Sequence, residues 1–328
     1  MKKNDLFAVY NLLKARFLKK KVPLVVGWSL TDRCNLACSY CLRRKRRVKE
    51  LSTSQIFSII DELSSMHTYS INFTGGEALL REDISEVIDY AKIKNIKTGL
   101  STNGLLVSQK INEIRKVDYL TLSFDGCEDV HSLQRGGGDY RQVLAAIKAA
   151  KENNIHIRLH TVLTKNNVES ISFFLEFVKE YDVVIDFSVI EFDPFSDKKN
   201  VLLLLPSEEK FKSAIHRLIV EKAKGNRNIG NSFEGLRYLY HWPKHRKITC
   251  CAGRIYFRIE TNGDIYPCSN LVYKVDPLNC IKSGFKETFL NLESIQCKSC
   301  WCSTRIDMNY AFALNLRTIF DLKMNYHL

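Results

Sequence analysis

Three cysteines near the start of the chain have the residue type and spacing of a metal-binding loop. Cys34, Cys38 and Cys41 lie within eight residues of one another, directly after a predicted strand at 24–30. Thiolates are the preferred ligands of iron–sulfur clusters, and three of them can bind three irons of a cubane. No fourth cysteine follows at a matched spacing, so one iron would remain open to an external ligand. A closed zinc site is the alternative, but it needs a fourth ligand that residues 42–47 do not offer.

A second group of cysteines lies between residues 250 and 302. Within it, the Asn262–Gly263 pair predicts a β-hairpin with a type I′ turn, whose arms are residues 254–260 and 264–266. Eleven residues separate Cys251 from Gly263, and four separate Gly263 from Cys268. We therefore expect the hairpin to bring these two cysteines together, where other thiols of the group can complete a four-thiolate site.

The elements that must position these cysteines alternate between short apolar runs and amphipathic segments. Strands are predicted at residues 24–30, 70–74, 97–101, 119–124, 155–163 and 183–190, with helices between them. Strands that alternate with helices favour right-handed βαβ units and a parallel sheet, and so an α/β fold. The pattern fits both a curved open barrel and a flat doubly wound sheet.

The rest of the chain is predicted to form smaller units around this sheet. A helix is expected from Ser207 to about Lys224, and a terminal helix at 308–323. We divide the chain into four parts: an N-terminal amphipathic helix (1–23), the strand–helix domain (24–224), a connector (225–249) and a cysteine-rich domain (250–328).

The first cysteine motif resembles that of a known enzyme family. The spacing C-x3-C-x2-C after a strand, with Thr31-Asp32-Arg33 before it and Asn35-Leu36 inside it, is similar to the radical S-adenosylmethionine (radical SAM) superfamily. The resemblance covers about residues 24–190 and implies a partial (β/α)6 TIM-like barrel. It also implies a [4Fe–4S] cluster whose open iron binds S-adenosylmethionine. In that family an external donor such as flavodoxin or ferredoxin supplies the electron that cleaves the cofactor to a 5′-deoxyadenosyl radical.

Further segments at predicted strand ends match the cofactor-binding motifs of the family. Gly75-Gly76-Glu77 resembles the family's GGEP motif, with Ala78 where proline is usual, and glycine lets the backbone approach a ligand closely. Ser101-Thr102-Asn103-Gly104 and Ser123-Phe124-Asp125-Gly126 follow the next two strands, although a helix cap with a turn glycine explains the former equally well. The resemblance implies cofactor contacts from these residues: Gly75, Gly76, Glu77, Thr102, Asn103, Ser123 and Asp125.

Three other residues are weaker candidates for the site. Arg158 and His160 share one face of the fifth predicted strand, where they would contact the cofactor if that face lines the barrel interior. A surface-facing pair is the alternative. Cys127 follows the fourth strand and would donate hydrogen to a substrate radical if it faced the cavity, whereas a buried inert thiol is the alternative.

The second cysteine group resembles the auxiliary-cluster domains called SPASM and Twitch. Cys302 follows Cys300 after one residue and is the last cysteine, so a single cluster fits better than two. The resemblance implies a small C-terminal iron–sulfur domain whose auxiliary [4Fe–4S] cluster is held by Cys251, Cys268, Cys297 and Cys300. Cys250 and Cys302 are possible substitutes. A structural zinc ion is the alternative, because four-cysteine zinc sites share the pattern.

Charge and composition limit the class of partner. Lys and Arg outnumber Asp and Glu by 49 to 36, which predicts attraction to an anionic partner: a phosphorylated substrate, nucleic acid or an acidic membrane surface. The run Arg43–Arg47 follows the first motif directly, although a solvated basic surface remains the alternative. The chain shows no signal peptide and no apolar run near the roughly 20 residues that span a bilayer, so a cytoplasmic protein is expected.

The N-terminal segment combines apolar and basic residues at helical spacing. Leu6, Tyr10, Leu13 and Phe17 recur at one face, with several lysines and arginines nearby, and the helix is expected to end before Val22–Pro23. We expect this helix to pack on the barrel. Peripheral membrane contact is the alternative.

The resemblance implies oxidation, epimerisation or bond formation on a peptide or a small biosynthetic intermediate. Alternative substrates are an anionic lipid, a nucleotide-linked sugar or RNA. A nucleic-acid partner is not expected, because the sequence contains no recognised RNA-binding module. A hypothesis of a different class, a non-catalytic zinc-stabilised nucleic-acid-binding protein, leaves the open three-cysteine loop unexplained.

Overall fold

The computed structural model describes residues 3–326 except 193, 245, 296 and 298. Within these residues the strands form a single sheet. They are β1 (Val25–Thr31), β2 (Ser70–Gly75), β3 (Lys97–Thr102), β4 (Tyr119–Ser123), β5 (His156–Leu163), β6 (Val184–Val189), β7 (Tyr256–Ile259), β8 (Asp264–Tyr266) and β9 (Leu278–Asn279).

The sheet has the order β6-β5-β4-β3-β2-β1-β7-β8-β9, with β6 and β9 at its two edges. Strands β1 to β6 pair in parallel, and β7 adds to β1 in parallel as well. Strands β8 and β9 then continue antiparallel. The predicted α/β fold is therefore confirmed as a parallel sheet that does not close on itself.

Helices cover the sheet and fill the C-terminal region. They are α1 (Lys3–Phe17), α2 (Thr53–Ser65), α3 (Ile84–Ile93), α4 (Val107–Ile114), α5 (Glu128–Arg135), α6 (Tyr140–Glu152), α7 (Ile171–Glu180), α8 (Lys198–Leu204), α9 (Glu208–Ala223), α10 (Phe233–Leu239), α11 (Cys280–Ser283), α12 (Phe285–Asn291), α13 (Ser303–Phe312) and α14 (Leu316–Tyr326). No helix of the described residues has the length and hydropathy needed to cross a bilayer.

Local sequence explains where several helices begin. Ser52 caps α2 through a capping box with Gln55, and the hydroxyl of Ser207 accepts a hydrogen bond from the backbone N–H of Lys210 at the start of α9. Large apolar side chains on one face of the sheet are fully buried, including Trp28, Phe73 and Phe187. The alternate positions along the strands point to the opposite face and carry buried polar residues, such as Ser29, Thr31 and Asp186.

Two local predictions are wrong. The terminal helix expected at 308–323 is two helices, because Leu314 adopts a left-handed backbone conformation (φ 62°) between α13 and α14. The hairpin between β7 and β8 forms as predicted, but its turn is not type I′. A type I′ turn needs positive φ at both central residues, whereas of the pair Asn262–Gly263 only the glycine has positive φ (85°).

The segment predicted as a connector contains ordered structure. Helix α10 buries Leu236, Tyr238 and Leu239. Before it, the side-chain amide of Asn231 pairs with the backbone of Phe187 on β6, accepting from its N–H at 2.8 Å and donating to its C=O at 2.9 Å. Residues 229–231 thus pack along the β6 edge, and the domain boundaries at 225 and 250 stay a prediction.

A buried ion network joins the first cysteine loop to the β7–β8 hairpin. The carboxylate of Glu260 accepts hydrogen bonds from Arg43 at 3.0 Å and from Arg258 at 2.9 Å, and Arg46 lies 3.3 Å away. Arg43 also contacts Asp32 at 2.6 Å. Burial acts to raise the pKa of Glu260, but Arg258 and Arg43 outweigh it and bring this pKa down to about 2.

We predict that Glu260→Gln destabilises the protein at neutral pH by about 3 kcal/mol, because it leaves buried guanidinium groups without their carboxylate. The pKa of Glu260 falls from 4.5 to about 2 on folding. The carboxylate therefore stabilises the fold above pH 4.5, and this contribution is lost as the pH falls toward 2. Urea unfolding across this range should give a shallower pH dependence for the variant than for the wild type.

The matched control is Glu169→Gln, which removes an exposed carboxylate paired with Lys210. This substitution should lower the free energy of unfolding by less than about 1 kcal/mol. Equal stability and equal pH dependence of the Glu260→Gln variant and the wild type would contradict a stabilising network.

Candidate functional site

A cavity of about 200 Å³ opens at the carboxyl ends of β1 to β4. This is the edge at which parallel α/β folds build their ligand sites. Eight of the residues predicted from sequence line it: Cys34, Cys38, Cys41, Gly75, Gly76, Thr102, Asn103 and Ser123. Tyr40, Arg43, Arg44 and Arg135 also contribute to its wall.

Distant segments of the chain hold the three-cysteine loop in place. The backbone N–H of Leu42 donates to the C=O of Phe195 at 2.6 Å, and that of Asp197 donates to the C=O of Tyr40 at 3.1 Å. The side-chain amide of Asn200 donates to the C=O of Ser39 at 2.7 Å. The loop is therefore supported by the segment after β6, which the sequence motifs did not indicate.

The Gly-Gly pair brings the end of β2 against the start of the cysteine loop. The backbone N–H of Gly76 donates to the C=O of Thr31 at 2.7 Å. A Cβ atom at Gly76 would lie 2.2 Å from the C=O oxygen of Arg33, so any side chain there would push the two segments apart. Glycine is thus required by a close approach of backbones, and it leaves main chain exposed along the cavity wall.

Glu77 lies beside the cavity without lining it. Its buried carboxylate accepts hydrogen bonds from the backbone N–H groups of Leu79 at 3.1 Å and Asn103 at 2.9 Å. Burial raises the pKa of Glu77, although these two bonds oppose the rise. The side chain of Asn103 in turn donates to Asn35 in the cysteine loop at 2.8 Å. Glu77 therefore fixes the end of β3, and through it the loop.

Arg135 is a cavity residue that the sequence motifs did not reveal. It stands at the end of α5, and its guanidinium donates to the buried carboxylate of Asp125 at 2.7 Å. The other oxygen of Asp125 accepts from the backbone N–H of Val162 at 3.1 Å. Burial, assisted by the charge of Arg135, lowers the pKa of nearby His131 to about 4, so this imidazole is neutral at physiological pH. The predicted residue Asp125 thus orients a cation rather than lining the cavity.

The weaker candidates lie elsewhere. Arg158 is buried against Asp186 on β6 and does not line the cavity, and neither does His160, whose pKa burial lowers. Cys127 is exposed and contributes to neither cysteine cavity. The roles proposed for these three residues stay predictions without support from their placement.

A second cavity gathers the C-terminal cysteines. The five that line it are Cys250, Cys251, Cys268, Cys297 and Cys300. The backbone N–H of Cys251 donates to the side chain of Asn309 at 2.9 Å, and that of Cys300 donates to the Tyr238 hydroxyl at 3.1 Å. Cys280 lies apart, with its thiol donating to the C=O of Gly263 at 3.1 Å. All four cysteines expected to hold an auxiliary cluster therefore face one cavity.

A buried cation accompanies these thiols. Arg305, on α13, lines the second cavity and donates through Nη2 to Glu191 at 2.8 Å. Its Nε is buried and has no hydrogen-bond partner among the described residues. An unpaired buried donor carries a free-energy cost unless an acceptor is supplied. A donor of this kind beside several cysteines suits a bound group of negative charge, as a thiolate-ligated cluster is.

The first cavity also fits a thiolate-ligated group. Burial, assisted by the neighbouring Cys38, Glu77 and Cys41, raises the pKa of Cys34 to about 11. Neighbouring thiols bind cations as thiolates, with release of their protons. No three His, Cys, Asp or Glu side chains among the described residues are arranged as ligands of one metal ion. In a cubane each cysteine binds a different iron, so the cysteine sulfur atoms lie farther apart than the ligands of a single metal ion.

Comparisons with known proteins agree with this geometry. Residues 28–178 match the family model described as Radical SAM superfamily. The chain is 30% identical to mycofactocin maturase MftC of Mycolicibacterium smegmatis, over 75% of this chain and 64% of that protein. Identity to MftC of Mycobacterium ulcerans is also 30%, over 75% of this chain and 68% of that protein. The chain thus spans about two thirds of the length of these relatives.

A solved structure shares the fold. Streptococcus suis SuiB bound to S-adenosylmethionine superposes with a TM-score of 0.67 at 17% identity, over 87% of this chain and 70% of that chain. A second SuiB structure contains its precursor peptide SuiA. The matching family model, the identity to MftC and the three-cysteine cavity together show that this chain belongs to the radical SAM superfamily.

Proposed function

We propose that this protein cleaves S-adenosylmethionine reductively and uses the resulting radical to modify a peptide, with an auxiliary [4Fe–4S] cluster in its second cavity. The observation that carries this proposal is the first cavity, in which three cysteines and the backbone of Gly75 and Gly76 meet at the carboxyl ends of parallel strands. S-adenosylmethionine held on a reduced cluster supplies a carbon-centred radical that removes hydrogen from a substrate.

The residues of the first cavity have distinct roles in this proposal. Cys34, Cys38 and Cys41 hold three irons of the cluster and leave the fourth for the cofactor. The main chain of Gly75 and Gly76 lies along the wall and offers hydrogen-bonding groups to the cofactor's methionine moiety. Arg135, fixed by Asp125, brings a cation to the wall for the cofactor's carboxylate.

The second cavity supports an oxidative or bond-forming reaction. We propose that Cys251, Cys268, Cys297 and Cys300 ligate the auxiliary cluster. Arg305 would offset the negative charge of that cluster, and its unpaired Nε would be available to donate a hydrogen bond to it. A second cluster close to the substrate can accept an electron from a substrate radical, which suits net oxidation.

A peptide is the proposed substrate because MftC is a maturase and the peptide-bound protein SuiB has the same fold. A second candidate, an anionic small molecule, is favoured by an opening beside Cys34 that is lined by Arg33, Arg44 and Arg47. Arg43 and Arg46 are held by Asp32 and Glu260, so only part of the basic run is available to a partner.

An external flavodoxin or ferredoxin is the proposed electron source.

We predict that anaerobically reconstituted protein releases 5′-deoxyadenosine from S-adenosylmethionine after reduction with dithionite, and that Cys38→Ala abolishes this release because the cluster loses one of three ligands. Chromatography of the nucleoside product measures the effect. Cys127→Ala is the matched control, since this exposed cysteine lies outside both cavities, and it should keep wild-type release. Colourless protein that binds zinc and forms no 5′-deoxyadenosine would overturn the proposal.

We predict that the double variant Cys251→Ser, Cys268→Ser loses about four iron atoms per chain, the iron content of one [4Fe–4S] cluster. The variant should still release 5′-deoxyadenosine. Iron and sulfide assays on reconstituted protein measure the loss. The control is Cys280→Ser, because serine can keep the hydrogen bond that this thiol donates to Gly263 outside the cavity, and its iron content should not change. Unchanged iron in the double variant would show that the second cavity holds no cluster.

A further inference from the structure

Helix α1 packs on the rest of the protein through a face that combines the polar residues Asp5 and Asn11 with Leu12 and Ala15. Asp5 accepts hydrogen bonds from the hydroxyl of Tyr69 at 3.0 Å and from the ammonium of Lys97 at 3.3 Å. Asn11 and Ala15 are buried on the same side of the helix. The expectation that α1 packs on the barrel holds, but its contact face is not the apolar stripe.

The apolar stripe of α1 faces solvent instead. Leu6, Tyr10, Leu13 and Phe17 recur at one face of the helix, and each is between 38% and 65% exposed. Phe7, Val9 and Leu18 are exposed beside them. Single exposed apolar residues are ordinary, whereas a contiguous patch of seven marks an interaction surface.

Basic residues border this stripe. At 3.6 residues per turn, Lys14 lies beside the line through Leu13 and Phe17. Arg16, on the other side of that line, instead places its guanidinium 5.9 Å from the ring of Phe312 in α13. Lys19 and Lys20 are exposed just beyond the end of the helix. An apolar stripe with aromatic residues, bordered by cations, is the arrangement of helices that lie in the interface of a bilayer.

We propose that α1 docks on the surface of an anionic lipid bilayer, with the stripe in the headgroup region and Lys14, Lys19 and Lys20 beside lipid phosphates. Charge complementarity favours this occupant over a second copy of the chain. Two copies meeting through α1 would bring equal basic borders together in a protein of net charge +13. One helical face is also small compared with the roughly 1,200–2,000 Å² that a stable protein interface buries.

The position of α1 allows the enzyme to act while it is attached to a bilayer. Its contacts with Tyr69, before β2, and with Lys97, at the start of β3, put it at the amino ends of these strands. The cavity that contains Cys34 lies at their carboxyl ends. Docking through α1 therefore leaves the mouth of that cavity away from the bilayer, which makes α1 a means of attachment rather than an entrance for lipid substrates.

Sedimentation of the full-length protein with vesicles tests the proposal. The protein should bind vesicles that contain phosphatidylglycerol and bind phosphatidylcholine vesicles much more weakly, and added salt should reduce binding. The double variant Leu13→Ser, Phe17→Ser should bind at least about tenfold more weakly, since two apolar side chains no longer enter the interface. Lys14→Glu with Lys20→Glu should lose the preference for anionic lipid.

Two controls separate the stripe from general effects. Ile93→Ser removes an exposed apolar side chain at the end of α3, and Lys148→Glu reverses an exposed charge on α6; both should bind like the wild type. Circular dichroism and thermal unfolding check that each variant is folded. The proposal is overturned if the wild type does not bind anionic vesicles or if the stripe variant binds equally well. It is also overturned if sedimentation velocity shows a dimer that the stripe variant dissociates.

Discussion

The buried carboxylate of Glu260 is the constraint on which the two ends of this protein depend. It stands at the end of β7, and its guanidinium partners Arg43 and Arg46 come directly after the first cysteine motif. A charge this buried is stable only when it is fully paired, because desolvation of the ion costs several kcal/mol. The cysteine loop and the C-terminal hairpin are therefore held in one arrangement, and movement of either exposes or unpairs a charge.

The same constraint changes the interpretation of the basic run. Five consecutive basic residues suggest a surface for anionic partners. Arg43 is nevertheless buried, with its guanidinium 3.7 Å from the ring of Phe195 and paired with Asp32 and Glu260. Arg43 thus belongs to the interior, and Arg46 is paired with the same two carboxylates. Arg33, Arg44 and Arg47 provide the other cations of the opening beside Cys34.

The sequence was informative where function depends on residues close together in the chain. The three-cysteine loop, the Gly-Gly pair and the strand-end polar residues were predicted because each is a local motif. Arg135, Arg305 and Glu260 were not, because their partners are set by the tertiary fold; Arg43 and Glu260 are 217 residues apart. The sequence also did not indicate through which face α1 packs, for a related reason. A helical period reveals that an apolar stripe exists, but the partner of the opposite face decides whether that stripe is buried.

The segment after β6 offers a physical connection between the two cavities. At its start, Glu191 accepts a hydrogen bond from Arg305, which lines the second cavity. A few residues later, the backbone of Phe195 and Ser196 pairs with Leu42 and Cys41 in the first loop. Ser196 also donates to the C=O of Glu191 at 3.1 Å, so these two residues of the segment are in direct contact. The wall of the second cavity and the first cysteine loop therefore both make hydrogen bonds to this one segment.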